Sequence, residues 1–283
     1  MKTRHLLRLV TVLALPLGAF AASDLKPLRD ALTLHASFDE KLDADFARGD
    51  PTLYATGGGT TGPARENDAI KRAPGAGRFG AALHVTKKNP LRPYFNGPGV
   101  LDYKAANWSG SVSIWLRLTP DEDLEPGYCD PVQIVGGDNK KGFIFLEWSK
   151  DETPRHFRYA IRPRLELWNP TNLDWAKMTD AQRPMVKVER APFSRTKWTH
   201  VVFTFDQLNA GKAGVGTLYL DGKPQGSIKG WDLTLAWEPE KVQLVLAAAY
   251  VGLMDDLAVF NRSLTATEVQ QVYGLPNGIA DLR

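Results

Sequence analysis

The sequence is poor in the residues that most often carry metal or covalent chemistry. It has one cysteine in 283 residues, Cys129. No intramolecular disulfide can form, so an exported form of the chain must rely on its core, or on a bound metal ion, for stability. There is no CxxC pair, no HExxH motif and no histidine-rich tract, which leaves zinc and iron sites without sequence support. As a nucleophile Cys129 would need an activating histidine, and the nearest, His156, sits in no recognisable motif. Cys129 reads as a small packed side chain.

Long apolar runs are equally scarce. The one at residues 9–17 is shorter than the roughly 20 residues of a membrane-spanning helix. Lys2, Arg4 and Arg8 precede or enter it and Ala19-Phe20-Ala21 follows, the layout of a secretory signal peptide over residues 1–21. The mature protein is then expected to begin near Ala22, to be secreted or periplasmic, and not to insert in the membrane after cleavage. A surplus of one charge is lacking too. The chain has 35 basic and 32 acidic residues, and the three basic residues of the signal segment account for the whole excess. Electrostatic capture of nucleic acid or of an anionic membrane therefore has no whole-chain support.

What the sequence does have is 43% hydrophobic and 10% aromatic residues, the composition of a folded soluble protein. Short β-branched and aromatic runs alternate with Gly, Pro, Asp and Asn, which predicts many strands joined by turns. The best are residues 32–38, 81–85, 111–118, 132–135, 143–148, 157–161, 198–205, 217–220 and 254–260. Val112, Ile114, Leu116 and Leu118 fall on one strand face. Asp221-Gly222 is a two-residue hairpin turn with Lys223 starting the return strand, so the sheet is expected to be antiparallel. One helix is legible: Thr265 with Glu268 makes a capping box, Leu264 and Val269 a hydrophobic staple, and Gly274 ends it before Pro276. The pattern predicts an all-β sandwich with one short C-terminal helix. Residues 39–79 and 163–184 read as insertions, with no linker between domains, so residues 22–283 are taken as one domain.

The order of local patterns resembles the laminin-G-like jelly roll of the concanavalin A-like lectin/glucanase superfamily. It is carried by Leu34-His35-Ala36-Ser37-Phe38-Asp39, Gly77-Arg78-Phe79-Gly80, Val112-Ser113-Ile114-Trp115, and Trp198-Thr199-His200-Val201-Val202-Phe203. Leu218-Tyr219-Leu220-Asp221-Gly222 and Gly252-Leu253-Met254-Asp255-Asp256-Leu257 continue it, followed by the capped helix. The resemblance implies an antiparallel jelly-roll β-sandwich. It also implies a structural calcium ion held by Asp39 and Asp255, with Asp256 the lesser partner; carboxylates and backbone carbonyls are the oxygen ligands calcium takes. The fold hosts binding modules, glycoside hydrolases and polysaccharide lyases alike, so function must be argued from a site.

No catalytic constellation is legible. Asp121-Glu122-Asp123-Leu124-Glu125 has adjacent carboxylates between Pro120 and Pro126, a loop and not the alternating acids of a catalytic strand. Arg164-Leu165-Glu166-Leu167 and Gln133-Ile134-Val135 resemble fragments of alginate-lyase-like enzymes, but the histidine is absent and the order reversed. Gly75-Ala76-Gly77-Arg78-Phe79-Gly80 matches GxGxxG without the strand before and helix after that a dinucleotide site requires. Trp168 and Trp175, set in the proline-rich insertion with Asn169, Asn172 and Asp174, suit stacking on a sugar ring while bonding its hydroxyls, and Tyr94 beside Phe95 is a second platform. The same aromatics would also serve simply to pin the loop to the sheet. The expectation is an exported, non-catalytic binding module for carbohydrate or extracellular glycan, with Trp168, Trp175, Asn172 and Tyr94 as ligand-binding residues. The alternatives are a polysaccharide-active hydrolase or lyase, which needs a pair of carboxylates or a Tyr/His/Arg cluster around a groove, and an adhesion module for an extracellular protein.

Overall fold

The computed structural model describes residues 25–57, 59–88 and 91–283; the expected signal peptide lies outside them. Two antiparallel sheets face each other. The first orders β15 (Lys223–Ile228), β14 (Val215–Leu220), β13 (Thr199–Leu208), β8 (Trp108–Arg117), β17 (Gly252–Phe260), β1 (Leu32–Ala36) and β2 (Phe46–Ala47). In it β6 (Ala82–Val85) pairs with β17, and β5 (Ile70–Ala73) with β6. The second orders β12 (Met185–Val188), β11 (Phe157–Arg162), β10 (Phe143–Trp148), β9 (Asp130–Val135), β16 (Gln243–Ala248), β7 (Arg92–Asn96), β3 (Tyr54–Gly57) and β4 (Thr60–Pro63). This is the jelly-roll β-sandwich the sequence predicts. Among the described residues no helix is long and apolar enough to cross a membrane.

Period-two alternation sends Val112, Ile114, Leu116, Val201 and Phe203 of the first sheet against Ile134, Ile144, Leu146, Tyr159, Ile161 and Leu244 of the second, all fully buried. Each such apolar side chain contributes roughly 1.5–3 kcal/mol by leaving water. Cys129 joins this core. The Asp221-Gly222 turn has positive φ at both residues, 47° and 75°, as a two-residue hairpin with this handedness requires. The 39–79 insertion folds into β2, β3, β4 and β5. They are only two to four residues long, and β3, β4 and β5 carry little apolar sequence, which hid them from a reading based on apolar runs.

The two outer faces differ. On the first sheet, Leu32, Val202, Ala258 and Phe260 are covered by α1 (Lys26–Ala31), the C-terminal helix and the final turn through Leu28, Val269, Val272, Ile279 and Leu282. Two further helical turns, α2 (Pro120–Asp123) and α3 (Leu165–Trp168), lie in loops, and the C-terminal helix is α4 (Ala266–Tyr273). The α4 capping box is formed, with Thr265 Oγ1 accepting from the Glu268 amide at 3.3 Å and the Glu268 carboxylate accepting from the Thr265 amide at 2.9 Å. The outer face of the second sheet is left open across its middle, and it is polar.

Candidate functional site

A groove of about 1060 Å³ crosses that open face. Its floor is the out-facing half of each strand's alternation: Arg162 on β11, Phe143 and Glu147 on β10, Gln133 and Val135 on β9, Gln243 and Val245 on β16, and Arg92 and Tyr94 on β7. A smaller recess of about 350 Å³ shares Arg92, Tyr128, Asp130 and Gln133 and extends the groove toward Lys88. Asp130 reaches this face through a register slip. Phe145 faces Gln133, whereas three residues on Trp148 faces Cys129, four residues back. The extra residue on β9 is a bulge, so Cys129 and Val132 both point into the core and Asp130 points out.

The floor carries ionisable groups that water scarcely reaches. Asp130 is 7% exposed and Glu147 5%. Asp130 Oδ2 accepts from Gln133 Nε2 at 2.7 Å, while its buried Oδ1 has no hydrogen-bond partner. Burial, and then the Glu147 carboxylate beside it, push the Asp130 carboxyl up to about 8. Burial also raises Glu147, against the pull of Arg158. Directly across the β10–β11 ladder, Arg158 binds Glu147 at 3.1 Å and Glu152 at 2.9 Å. Arg162, four residues on and on the same face, has no ion pair or hydrogen bond among the described residues. It lies instead against aromatic rings, 3.9 Å from the Trp175 centroid, 4.8 Å from Phe145 and 5.5 Å from Trp168. Burial lowers its guanidinium to about 10, which leaves it cationic at neutral pH.

Of the residues singled out in the sequence, Trp175 and Tyr94 line the groove. Trp175 sits between Arg162 and Arg183, whose guanidinium is 4.8 Å from its ring and donates to its carbonyl at 2.6 Å. Trp168 stands edge-on to Trp175 with centroids 5.8 Å apart, supporting it from behind without lining the groove. Tyr94 is stacked on Tyr54 at 5.7 Å. Asn172 is exposed and away from the groove, where its amide closes a turn onto the Asn169 carbonyl. Arg164 to Leu167 stand in and beside α3, off the sheet, so the lyase-like fragment does not join Gln133. The sequence reading missed Asp130, Glu147, Arg92, Arg162 and Tyr128. A signal for some of them was present, since a lone acid in the apolar run FIFLEW and arginines four apart in FRYAIR mark a charged stripe on two strands.

Asp39 and Asp255 grip one loop from two sides. Asp255, fully buried, accepts from the amides of Arg78 and Phe79 at 2.6 and 3.0 Å through Oδ2; its Oδ1 is buried without a partner, and burial pushes the carboxyl up to about 8. Asp39 Oδ1 accepts from the Ala81 amide at 2.6 Å, and a Cβ on Gly80, whose φ is +97°, would strike that carboxylate. The loop turns backbone N–H donors toward both carboxylates, and the buried, unpartnered Oδ1 of Asp255 is the oxygen left to meet a hard divalent cation. Among the described residues no group of three or more His, Cys, Asp or Glu side chains is placed to hold a metal ion, so such an ion would draw its remaining ligands from the backbone. Asp256 is otherwise engaged, bonded to His35 at 2.8 Å and to the Ile279 amide.

Ser113 Oγ lies 2.8 Å from His200 Nε2, the contact of a nucleophile with its base. Both are buried on the covered face, with Tyr273 of α4 stacked on the imidazole at 5.8 Å. Burial lowers His200 to about 3, and a neutral, sealed pair is structural.

A family model described as the concanavalin A-like lectin/glucanases superfamily matches residues 100–270. No curated protein sequence matches the chain. Among solved structures it is similar to domain 4 of AbnA, a GH43 extracellular arabinanase from Geobacillus stearothermophilus, in complex with arabinotriose. Identity is 18% and the TM-score 0.50, over 85% of this chain and 97% of that one. It is also similar to the receptor binding domain of botulinum neurotoxin D, at 13% identity and TM-score 0.57 over 87% of this chain and 53% of that one. The serotype D ligand binding domain in complex with N-acetylneuraminic acid gives 12% and 0.53, over 89% and 52%. The chain thus spans about half the length of the toxin domains. At these identities the likeness is one of fold.

Proposed function

This chain belongs to the concanavalin A-like lectin/glucanases superfamily, and from that premise we propose that it is an exported module that binds carbohydrate in the groove on the outer face of its second sheet. One observation carries the reading. The open sheet face combines rings, Tyr94, Tyr128 and Trp175, with polar groups, the buried Asp130 and Glu147 and the half-buried Gln133 and Arg162, in one groove. Flat apolar faces suit the C–H faces of sugar rings, and convergent donors and acceptors suit their hydroxyls. Two of the similar structures are described with a bound sugar, arabinotriose in one and N-acetylneuraminic acid in the other. A structural calcium ion held by Asp39 and Asp255 belongs to the same reading. It would clip the 78–81 loop to β1 and β17 in a protein without disulfides.

A second reading, cleavage of polysaccharide in the same groove, is favoured by the neighbouring carboxyls of Asp130 and Glu147, one of them held protonated at neutral pH as a general acid must be. Against it, Glu147 is tied to Arg158 and is not free to act as nucleophile or base. The deciding experiment is native electrophoresis through gels containing different polysaccharides, followed by assay of each gel for new chain ends. Retardation without new ends is the expected result. New ends that disappear in Asp130→Asn would establish the enzyme, and no retardation by any polysaccharide would refute both.

A further inference from the structure

The arginines near the groove are not equivalent. Arg158 is consumed by Glu147 and Glu152, and Arg183 by Asp180 at 3.3 Å and the Trp175 carbonyl. Arg162 and Arg92 both line the groove, and neither has an ion pair or hydrogen bond among the described residues. In Arg162 the Nε is buried without a partner. Its position is fixed by the rings of Trp175, Phe145 and Trp168, which hold a cation in place without neutralising it. A guanidinium fixed this way presents a planar fork of donors suited to a carboxylate.

Among the described residues no acid is bonded to either arginine, although Glu147, Asp138 and Glu240 line the same groove and the Glu147 charge acts on Arg162. Glu147 is satisfied by Arg158 across the ladder. Asp130 faces Gln133 on its own strand and lies close enough to Glu147, Arg162 and Arg92 to feel all three charges, yet burial keeps its carboxyl protonated at neutral pH. As a neutral acid it offers a proton where an ionised one would repel an anion. The groove therefore carries two arginines without a bonded counter-ion, and the unpartnered Oδ1 of Asp130, nine-tenths buried, opens on the same groove.

We propose that the groove takes a carboxylate-bearing sugar of the uronate class, its carboxylate held by the guanidinium fork of Arg162, with Arg92, four strands away across the groove, adding to the attraction. This rests on the carbohydrate-binding reading and adds the ligand's charge to it.

The test measures binding of the whole protein, at physiological salt, to polygalacturonate, alginate and hyaluronan, each beside its carboxyl-reduced counterpart, with neutral glucan, xylan and arabinan alongside. At least one acidic polymer should bind about tenfold or more tighter than its reduced form, the scale of one charge-assisted hydrogen-bonded pair. Arg162→Lys keeps the charge but loses the fork, and it should lose most of that preference, the acidic polymer losing several-fold more affinity than its reduced form. Arg92→Gln, at an exposed position that does not threaten folding, should lose part of it. Equal binding of every acidic polymer and its reduced form, or a preference unchanged in Arg162→Lys, would overturn the proposal. If neutral polymers bind and acidic ones gain nothing, carbohydrate binding survives and only the uronate assignment fails. If no polymer binds at all, both fail.

Discussion

Asp130→Asn should stabilise the protein, and by an amount that grows with pH. The wild-type carboxyl is 7% exposed with Oδ1 unpartnered, and burial holds its folded-state value near 8 against about 4 in the unfolded chain. An acid raised on folding contributes stability that is fully present below its unfolded value and is lost as pH rises through its folded one. Between about pH 4 and pH 8 the folded protein retains a proton the unfolded chain has released. That costs on the order of 1 kcal/mol per pH unit. Asparagine cannot ionise, and its carbonyl can still accept from Gln133. Tm measured for both proteins at pH 5, 6, 7 and 8 should show a gap widening by roughly 2–4 °C per pH unit and levelling above about pH 8. Every other titrating group is common to the two, so the difference reports Asp130 together with the Glu147 carboxyl beside it. A gap constant from pH 5 to 8 would mean that Arg162 and Arg92 already hold the acid ionised at pH 5, and would refute the neutral-acid account.

Other outcomes follow from the same structure. Millimolar calcium should raise Tm relative to chelator, and Asp39→Ala or Asp255→Asn should abolish the difference; an unchanged wild-type Tm would remove the metal. Thr265→Ala should cost about 1 kcal/mol in denaturant unfolding through the lost cap of α4. Glu268 is held down to about 2, chiefly by its hydrogen bonds from Arg262. Its contribution is therefore present above about pH 4 and is lost as pH falls toward 2, and Glu268→Gln should flatten stability over that window. If the variant loses as much stability with acid as the wild type, the Arg262 pair contributes nothing measurable.

The sandwich was legible wherever strands alternate or run apolar between turns: 143–148 matches β10 and 254–260 most of β17. The strands that escaped have particular reasons. Arg92–Asn96 carries a proline, and Gln243–Ala248 ends in alanines, which favour strands little. In Thr60–Pro63 three of four residues are exposed, leaving no buried face to read. The site was less legible than the fold because it is assembled across strands. Glu147 meets Arg158 only through the β10–β11 register, and Asp130 faces outward only because the β9 bulge breaks the alternation that would have pointed it inward. Trp175 and Tyr94 were found because aromatics in polar, proline-rich surroundings stand out locally. Asn172 lies outside the groove, in a turn that its backbone amide closes.

The most direct test of the account is retardation of tryptophan variants on whichever polysaccharide retards the wild type. Trp175→Ala removes a groove wall and the ring over Arg162, and it should abolish most of the retardation. Trp198→Ala removes a ring stacked on Arg117 of the first sheet, and it should leave the retardation unchanged. Loss in Trp198→Ala with full binding in Trp175→Ala would place the sugar elsewhere and contradict the groove.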